Sequence, residues 1–256
     1  MRLNYLVGST RWLLRASMSL MVVVALWFTC VQCFDIPPYI LPAPDLVLMA
    51  GLEESALLLQ HGQVTLLETM LGLVLGLSFG LAISLLMLSF PRVKRFLLPM
   101  LIASQAIPTF AIAPLLVLWL GYGVASKVVI AMLFIFFSVT VNCFDGLSRT
   151  NQGYLDLSRT MGANRWQQLR YIRFPAALPA IASGVKIAVV MAPIGAVVGE
   201  WIGASEGLGY FMMYCNARME IPQMYAALCL LSFGAIVLYF LVDLSAKHFI
   251  HWQKIN

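Results

Sequence analysis

Apolar residues in this chain come in long runs rather than as stripes at helical or alternating spacing. Six runs stand out, at about 18–34, 64–90, 96–120, 128–147, 180–203 and 224–247. Helical crossing of a bilayer core takes roughly 20 residues. Backbone polar groups inside lipid must bond within their own segment, so each run predicts a membrane-spanning helix. The strands of a barrel would alternate apolar and polar residues, and these runs do not. The expected fold class is therefore all-α integral membrane, with about six transmembrane helices in a single domain over 18–250. A segment 1–17 precedes that domain and a tail 251–256 follows it.

The first run has a second reading. Arg11 and Arg15 ahead of an apolar stretch also open a signal peptide. The stretch ends Phe28-Thr29-Cys30-Val31-Gln32-Cys33-Phe34, without the small residues of a cleavage site, which favours a retained span. After it, Pro37, Pro38, Pro42 and Pro44 forbid helix and predict an extended strip. A short amphipathic helix is expected next, over 46–59.

Composition agrees with the pattern. The chain is 61% apolar and 11% charged, whereas a soluble domain carries about 25% charged residues. Lipid must cover much of the surface.

The net charge of +5 raises the question of nucleic acid, and placement answers it. With the N-terminus in the cytoplasm, the cytoplasmic pieces hold Arg2, Arg11, Arg15, Arg92, Lys94, Arg95, Arg149, Arg159, Arg165, Arg170, Arg173, Lys247 and Lys254. These are thirteen of the sixteen basic residues. The outer loops keep Lys127 and Arg218. This is the positive-inside distribution, so the basic excess is a topology signal with a share in contact with anionic lipid, and no nucleic-acid partner is expected.

Within the runs, Gly72, Gly76 and Gly80 share one helical face, as do Gly195, Gly199, Gly203 and Gly207. Such small-residue stripes let helix backbones approach closely, within this chain or with a second copy. The third run is interrupted by Pro99, Pro108 and Pro114. Proline removes a backbone donor and kinks a helix, and kinked segments in transporters line cavities. Ser104, Gln105, Pro108 and Thr109 at this break are candidate path residues. Glu200 and Trp201, near the end of the fifth run, are a second candidate pair. A carboxylate with an adjacent indole suits a flat ring bearing an amine, and equally suits an interfacial Glu-Trp anchor. Asn142, Asp145, Lys186 and Asp243 are further buried polar positions, and the three charged ones are expected to snorkel or pair near cytoplasmic helix ends. Glu68 and Thr69 are further polar positions in the second run. Cys30 and Cys33 form a lone C-x-x-C at a helix end, and the five cysteines are read as small apolar residues. His61, His248 and His251 are not grouped as a metal site, and no nucleophile–base arrangement is readable. No P-loop sequence is present, so ATP is not bound that way.

The segment 148–178 is the longest cytoplasmic piece and the most polar. Its pattern predicts two short helices. One runs over 155–161 and stops at Gly162. The next is capped by Asn164, runs over 165–172 and ends before Pro175. With Trp166 and Leu169 on one side and Arg165, Gln168 and Arg170 elsewhere, the loop reads as a docking element or as a connector lying on the membrane surface.

Here the sequence resembles a family. Permeases of ABC importers carry a cytoplasmic signature E-A-A-x-x-x-G, nine residues, then I-x-L-P. This chain has Asp156-Leu157-Ser158, three residues, Gly162, nine residues, then Ile172-Arg173-Phe174-Pro175. Both spacings fit; Asp replaces Glu, Leu and Ser replace the two Ala, and Phe replaces Leu. The resemblance implies a type I ABC importer permease in a bacterial plasma (inner) membrane with both termini cytoplasmic. It also implies that Asp156, Ser158, Gly162, Ala163, Arg165, Trp166, Ile172 and Pro175 dock an ATP-binding subunit. Further partners implied are an extracytoplasmic solute-binding protein and a second permease copy. The chain itself would be no enzyme and would hold no cofactor, with ATP used by the partner.

The stretches 104–123 and 194–210 look most like hydroxymethylpyrimidine importers, within a branch that also serves sulfonates, taurine and nitrate. A thiamine-precursor pyrimidine or similar heterocycle is the expected cargo, with a sulfonate, taurine or nitrate as the alternative. An ion-coupled secondary transporter is the rival of another class; it would show inverted repeats, and no internal symmetry is visible.

Overall fold

The computed structural model describes residues 18–19 and 21–250. The expectations for segments 1–17 and 251–256 therefore lie outside the described residues. Helices follow one another as α1 (Met21–Cys33), α2 (Pro44–Glu53), α3 (Ser55–Ser89), α4 (Pro91–Ser104), α5 (Thr109–Leu120), α6 (Val124–Ser148), α7 (Gln152–Thr160), α8 (Arg165–Gln168), a π turn (Leu169–Arg173), α9 (Phe174–Trp201), α10 (Leu208–Ala217) and α11 (Ile221–Phe249).

Among the described residues, four helices are long and apolar enough to cross a membrane: α3, α6, the continuous segment Arg165–Trp201, and α11. α4 and α5 pass the same test together but are bent by 101° at the break between them. α1 is apolar and shorter. The fold is all-helical, as the runs of apolar residues require.

Two compact units divide the chain: 1–58 with 211–229, and 59–210 with 230–256. In the first, Val47, Ala50, Phe211, Cys215 and Ile221 are buried, and the Trp27 and Tyr225 rings lie 6.0 Å apart.

The second unit is built around α6. A Cβ added to Gly72 would meet Ala131, one at Gly76 would meet Ile135, and one at Gly80 would meet Val139, all at 2.5–2.7 Å. Each pair is 59 residues apart (131−72, 135−76, 139−80), so α3 and α6 run parallel with one fixed register. On the other side of α6, Gly195 backs onto Ala131, Gly199 onto Lys127 and Gly184 onto Asn142. Rising numbers there meet falling ones, so α9 is antiparallel to α6. The expected glycine stripes of α3 and α9 thus pack within the chain, against one helix from two sides. Gly203 belongs elsewhere: at φ +132 it lies beyond the end of α9, and the Tyr122 ring covers it. Leu73, Ile135, Val139, Cys143, Ala188, Val189 and Ala192 fill the space between the three helices.

Asp145 and Asp243 pair near helix ends as expected, whereas Lys186 pairs from the middle of α9. Lys186 reaches Asp243 at 2.5 Å, Lys247 reaches the other oxygen of Asp243 at 2.6 Å, and Arg149 pairs with Asp145 at 3.0 Å. The Asn142 amide donates to the Ser138 carbonyl at 2.8 Å. The cysteines are unbridged, and no cluster of metal-binding side chains exists among the described residues.

Candidate functional site

Three parts of the second unit carry unusual local chemistry: the loop after α6, the break between α4 and α5, and the turn after α9.

The loop after α6 is built by caps. The Asn151 side chain accepts from the Gly153 N–H and starts α7. Its end is a complete Schellman motif: Gly162 N–H donates to Arg159 O and Ala163 N–H to Ser158 O, both at 2.9 Å. The motif needs a left-handed residue, and Gly162 sits at φ +80. Asn164 then opens α8 with a reciprocal capping box, its side chain taking the Gln167 N–H while Gln167 Oε1 takes the Asn164 N–H.

Two helix bounds differ from expectation. α7 begins at Gln152 rather than near 155. The second helix does not end before Pro175. It widens into the π turn at Leu169–Arg173 and continues as α9, with Pro175 in the first turn of α9. Proline there lacks the N–H of an ordinary α rung and crowds the carbonyl four residues back. The π turn opens that rung, so the chain runs on from Arg165 to Trp201 as one helix.

The loop presents apolar side chains to the exterior. Tyr154, Leu157, Met161, Trp166 and Tyr171 are all exposed, Met161 to 79%. Ser158, Met161, Gly162, Ala163, Gln167, Tyr171 and Ile172 line a cavity of about 350 Å³. Asp156 and Arg159 form an exposed ion pair at 2.8 Å; Arg165 opens α8 and Pro175 lies in the first turn of α9.

At the α4–α5 break, residues 105–107 fold into tight turns, with N–H groups donating three residues back to Ile102, Ala103 and Ser104. Ser104 Oγ donates to the Leu101 carbonyl at 2.8 Å. Gln105 and Pro108 are exposed and Thr109 is half-buried. Pro99 and Pro114 are accommodated inside α4 and α5, so the bend is made at Gln105–Pro108.

The turn after α9 is organised by Glu200. Its side chain is buried, while Trp201 is 52% exposed. Glu200 Oε1 accepts from the Thr65 hydroxyl at 2.7 Å and Oε2 from the Gly209 N–H at 2.5 Å. Thr65 Oγ1 in turn accepts from the Leu208 N–H at 2.7 Å, and His61 Nδ1 from the Gly207 N–H at 3.1 Å. Gly207, at φ +109, and Gly209 are required by the same carboxylate, since a Cβ would meet it at 2.3 and 2.8 Å. Both Glu200 oxygens are therefore engaged inside the chain, holding the turn 202–207 against α3. One helical turn further on, Glu68 is fully buried and pairs with Lys127 at 3.0 Å. Sequence reasoning placed Lys127 in an outer loop. It lies in the first turn of α6, buried with its partner. Thr65 was not singled out, and His61 was weighed only as a metal ligand. Their one signal is i, i+4 spacing with a polar character inside an apolar run.

Comparison with known proteins places these features. The family model for binding-protein-dependent transport system inner membrane components matches residues 72–254. A probable ABC transporter permease of Haemophilus influenzae is 52% identical over 230 residues, covering 90% of this chain and 94% of that protein. The formylaminopyrimidine transport permease ThiX of Halalkalibacterium halodurans is 39% identical over 218 residues, covering 85% and 87%. The riboflavin transport permease RibX of Chloroflexus aurantiacus is 35% identical over 237 residues, covering 92% and 88%. Among solved structures, the inward-facing MetNI methionine ABC transporter matches with TM-score 0.64 at 20% identity, over 78% of this chain and 97% of that one, a likeness of fold.

Proposed function

We propose a cargo and an assembly from the premise that this chain belongs to the binding-protein-dependent transport system inner membrane components, the permease subunits of ABC importers. It is a multi-pass inner-membrane protein, is not an enzyme, and works with an ATP-binding subunit and a substrate-binding protein.

The cargo is a thiamine-precursor pyrimidine of the aminopyrimidine type. The observation that carries this is the 39% identity to a formylaminopyrimidine permease over 85% of the chain. The 35% relative named for riboflavin supports a flat nitrogen heterocycle as the broader class. The test is uptake into vesicles holding the permease, its ATP-binding subunit and its binding protein. Labelled formylaminopyrimidine is expected to accumulate with ATP, in preference to riboflavin, taurine and an aliphatic sulfonate. Preferential uptake of taurine or sulfonate would select the alternative branch, and ion-driven uptake without the ATP-binding subunit would select the secondary-transporter class.

The loop 148–178 is the dock for the ATP-binding subunit. Its support is physical as well as sequential: two capped helices joined at Gly162 present Tyr154, Leu157, Met161, Trp166 and Tyr171 to the exterior, around a cavity of about 350 Å³. Asp156, Ser158, Ala163, Arg165, Ile172 and Pro175 frame this peg. Orientation follows from charge, with this loop and both termini cytoplasmic and the turn 202–207 outside. A second permease copy completes the path, to which Ser104, Gln105, Pro108 and Thr109 at the broken span contribute. Trp201, half-exposed beside the clamped turn, contributes a stacking face. Glu200 shapes that end of the path through the turn it holds.

A further inference from the structure

Of the eleven acidic residues, Glu68 and Glu200 are the two that are buried, at 0% and 1% exposure. They come from different helices, α3 and α9, that meet here: Thr65, one turn before Glu68, donates to Glu200 at 2.7 Å, and Lys127, 3.0 Å from Glu68, packs against Gly199 beside Glu200. The cation beside them is Lys127 of α6, itself 6% exposed. Two carboxyls and one ammonium thus share one dry volume. With both carboxyls ionised, the cluster would hold a net negative charge where water cannot reach it, and isolated buried charge is strongly disfavoured.

Among the described residues, the neighbouring elements supply no second cation. α3 adds His61, whose Nδ1 accepts the Gly207 N–H and so carries no proton on that nitrogen. The turn adds Glu206, an acidic side chain near His61 and no cation. α10 adds Tyr210, with its ring 6.0 Å from that of His61. α11 presents Leu230, Leu231, Gly234, Ala235 and Leu238 to the Thr65–Thr69 side of α3, all without charge.

Hydrogen bonding points the same way. Both Glu200 oxygens accept from donors, the Thr65 hydroxyl and the Gly209 N–H. Neither Glu68 oxygen has a hydrogen-bond partner among the described residues, although both atoms are buried and Oε1 lies 3.0 Å from the Lys127 ammonium. Two facing carboxylates offer acceptors only; one proton between them supplies the missing donor.

We propose that Glu68 and Glu200 form a proton-binding site, sharing one proton so that their cluster with Lys127 is electrically neutral. The proton is held by Glu68 and donated to Glu200, which keeps its carboxylate character toward Thr65 and Gly209. It is taken from water, and only an O–H bond is made. The bound proton lets α3, α6, α9 and the turn 202–207 close together without an uncompensated charge. Its release leaves one negative charge at the joint of all four.

Infrared spectroscopy of the full-length permease with its ATP-binding subunit in lipid vesicles at pH 7 tests this. The wild type is expected to show the C=O stretching band of a protonated, buried carboxyl, sensitive to deuterium exchange. The band is expected to vanish in Glu68→Gln and in Glu200→Gln, because each leaves one carboxylate facing one ammonium and needs no proton. A wild type without the band overturns the proposal, and so does a band that survives in Glu68→Gln. Should Glu200→Gln fail to assemble because the turn loses an acceptor, the wild type and Glu68→Gln decide alone. Neither result depends on which solute the permease carries.

Discussion

The ammonium of Lys127 lies 3.0 Å from a carboxylate oxygen of Glu68, with the two side chains 8% and 0% exposed. The pair joins α3 to α6 in the same 59-residue register as the glycine contacts. Removing one member of a buried ionic cluster costs about 3–5 kcal/mol, because a buried charge is left without its counterpart. Lys127→Met is therefore expected to lower the thermal unfolding midpoint in detergent sharply. The double variant Glu68→Leu/Lys127→Met is expected to recover a good part of the loss. Equal midpoints for single and double variants would show that the pair carries no stability.

Gly162 separates conformational strain from crowding. Its φ is +80, and nothing lies within 4 Å of an added Cβ, so a substitution there is opposed by the backbone alone. A β-branched residue in this region costs on the order of 1–3 kcal/mol. Gly162→Val is expected to insert normally and to lose ATP hydrolysis stimulated by the loaded binding protein. Gly162→Asn, which tolerates the left-handed region, is expected to keep most of it. Wild-type stimulation in the valine variant would remove the docking role from this turn.

Asp156 tests the loop without disturbing it. Its ion pair with Arg159 is exposed on both sides, and such pairs contribute roughly 0–1 kcal/mol. Asp156→Asn is expected to leave the melting temperature within error and to weaken co-purification of the ATP-binding subunit. If affinity for that subunit is unchanged, the acid has no part in the contact.

Gly195 and Gly234 differ in what a methyl group would meet. At Gly195 an added Cβ falls 2.7 Å from the Ala131 backbone and 3.2 Å from Phe134, while at Gly234 nothing lies within 4 Å. Overpacking of a tight core costs roughly 1–3 kcal/mol. Gly195→Ala is expected to lower thermal stability by that order, and Gly234→Ala to leave it unchanged. Comparable midpoints for the two would mean that α9 can slide on α6 at little cost.

Much of this was legible in the sequence because membrane helices advertise themselves. Runs such as 64–90 and 224–247 have no other stable solution in lipid, and the caps at Asn151, Gly162 and Asn164 are local chemistry written in adjacent residues. Two features hid. Pro175 signals a stop, but whether a helix breaks there or widens into a π turn depends on the whole helix that follows. The cluster at Glu200 hid because its members are distant in the chain. Thr65 and Glu200 are 135 residues apart, and Lys127 looked like a loop residue until α6 was seen to start before it. Side-chain type suggested Glu200 as a contact for cargo. Burial and two internal donors reveal it as the anchor of a turn.

The single helix from Arg165 to Trp201 sets Trp166 and Glu200 on one shaft, about 50 Å apart at 1.5 Å per residue. Its winding is continuous through the π turn and past Pro179 and Pro193. A twist applied at the Trp166 end must therefore arrive at the Glu200 end as rotation rather than be lost in slack. The joint gripping Glu200 is then a bearing, and how tightly it grips sets how much torque reaches the far side of the membrane.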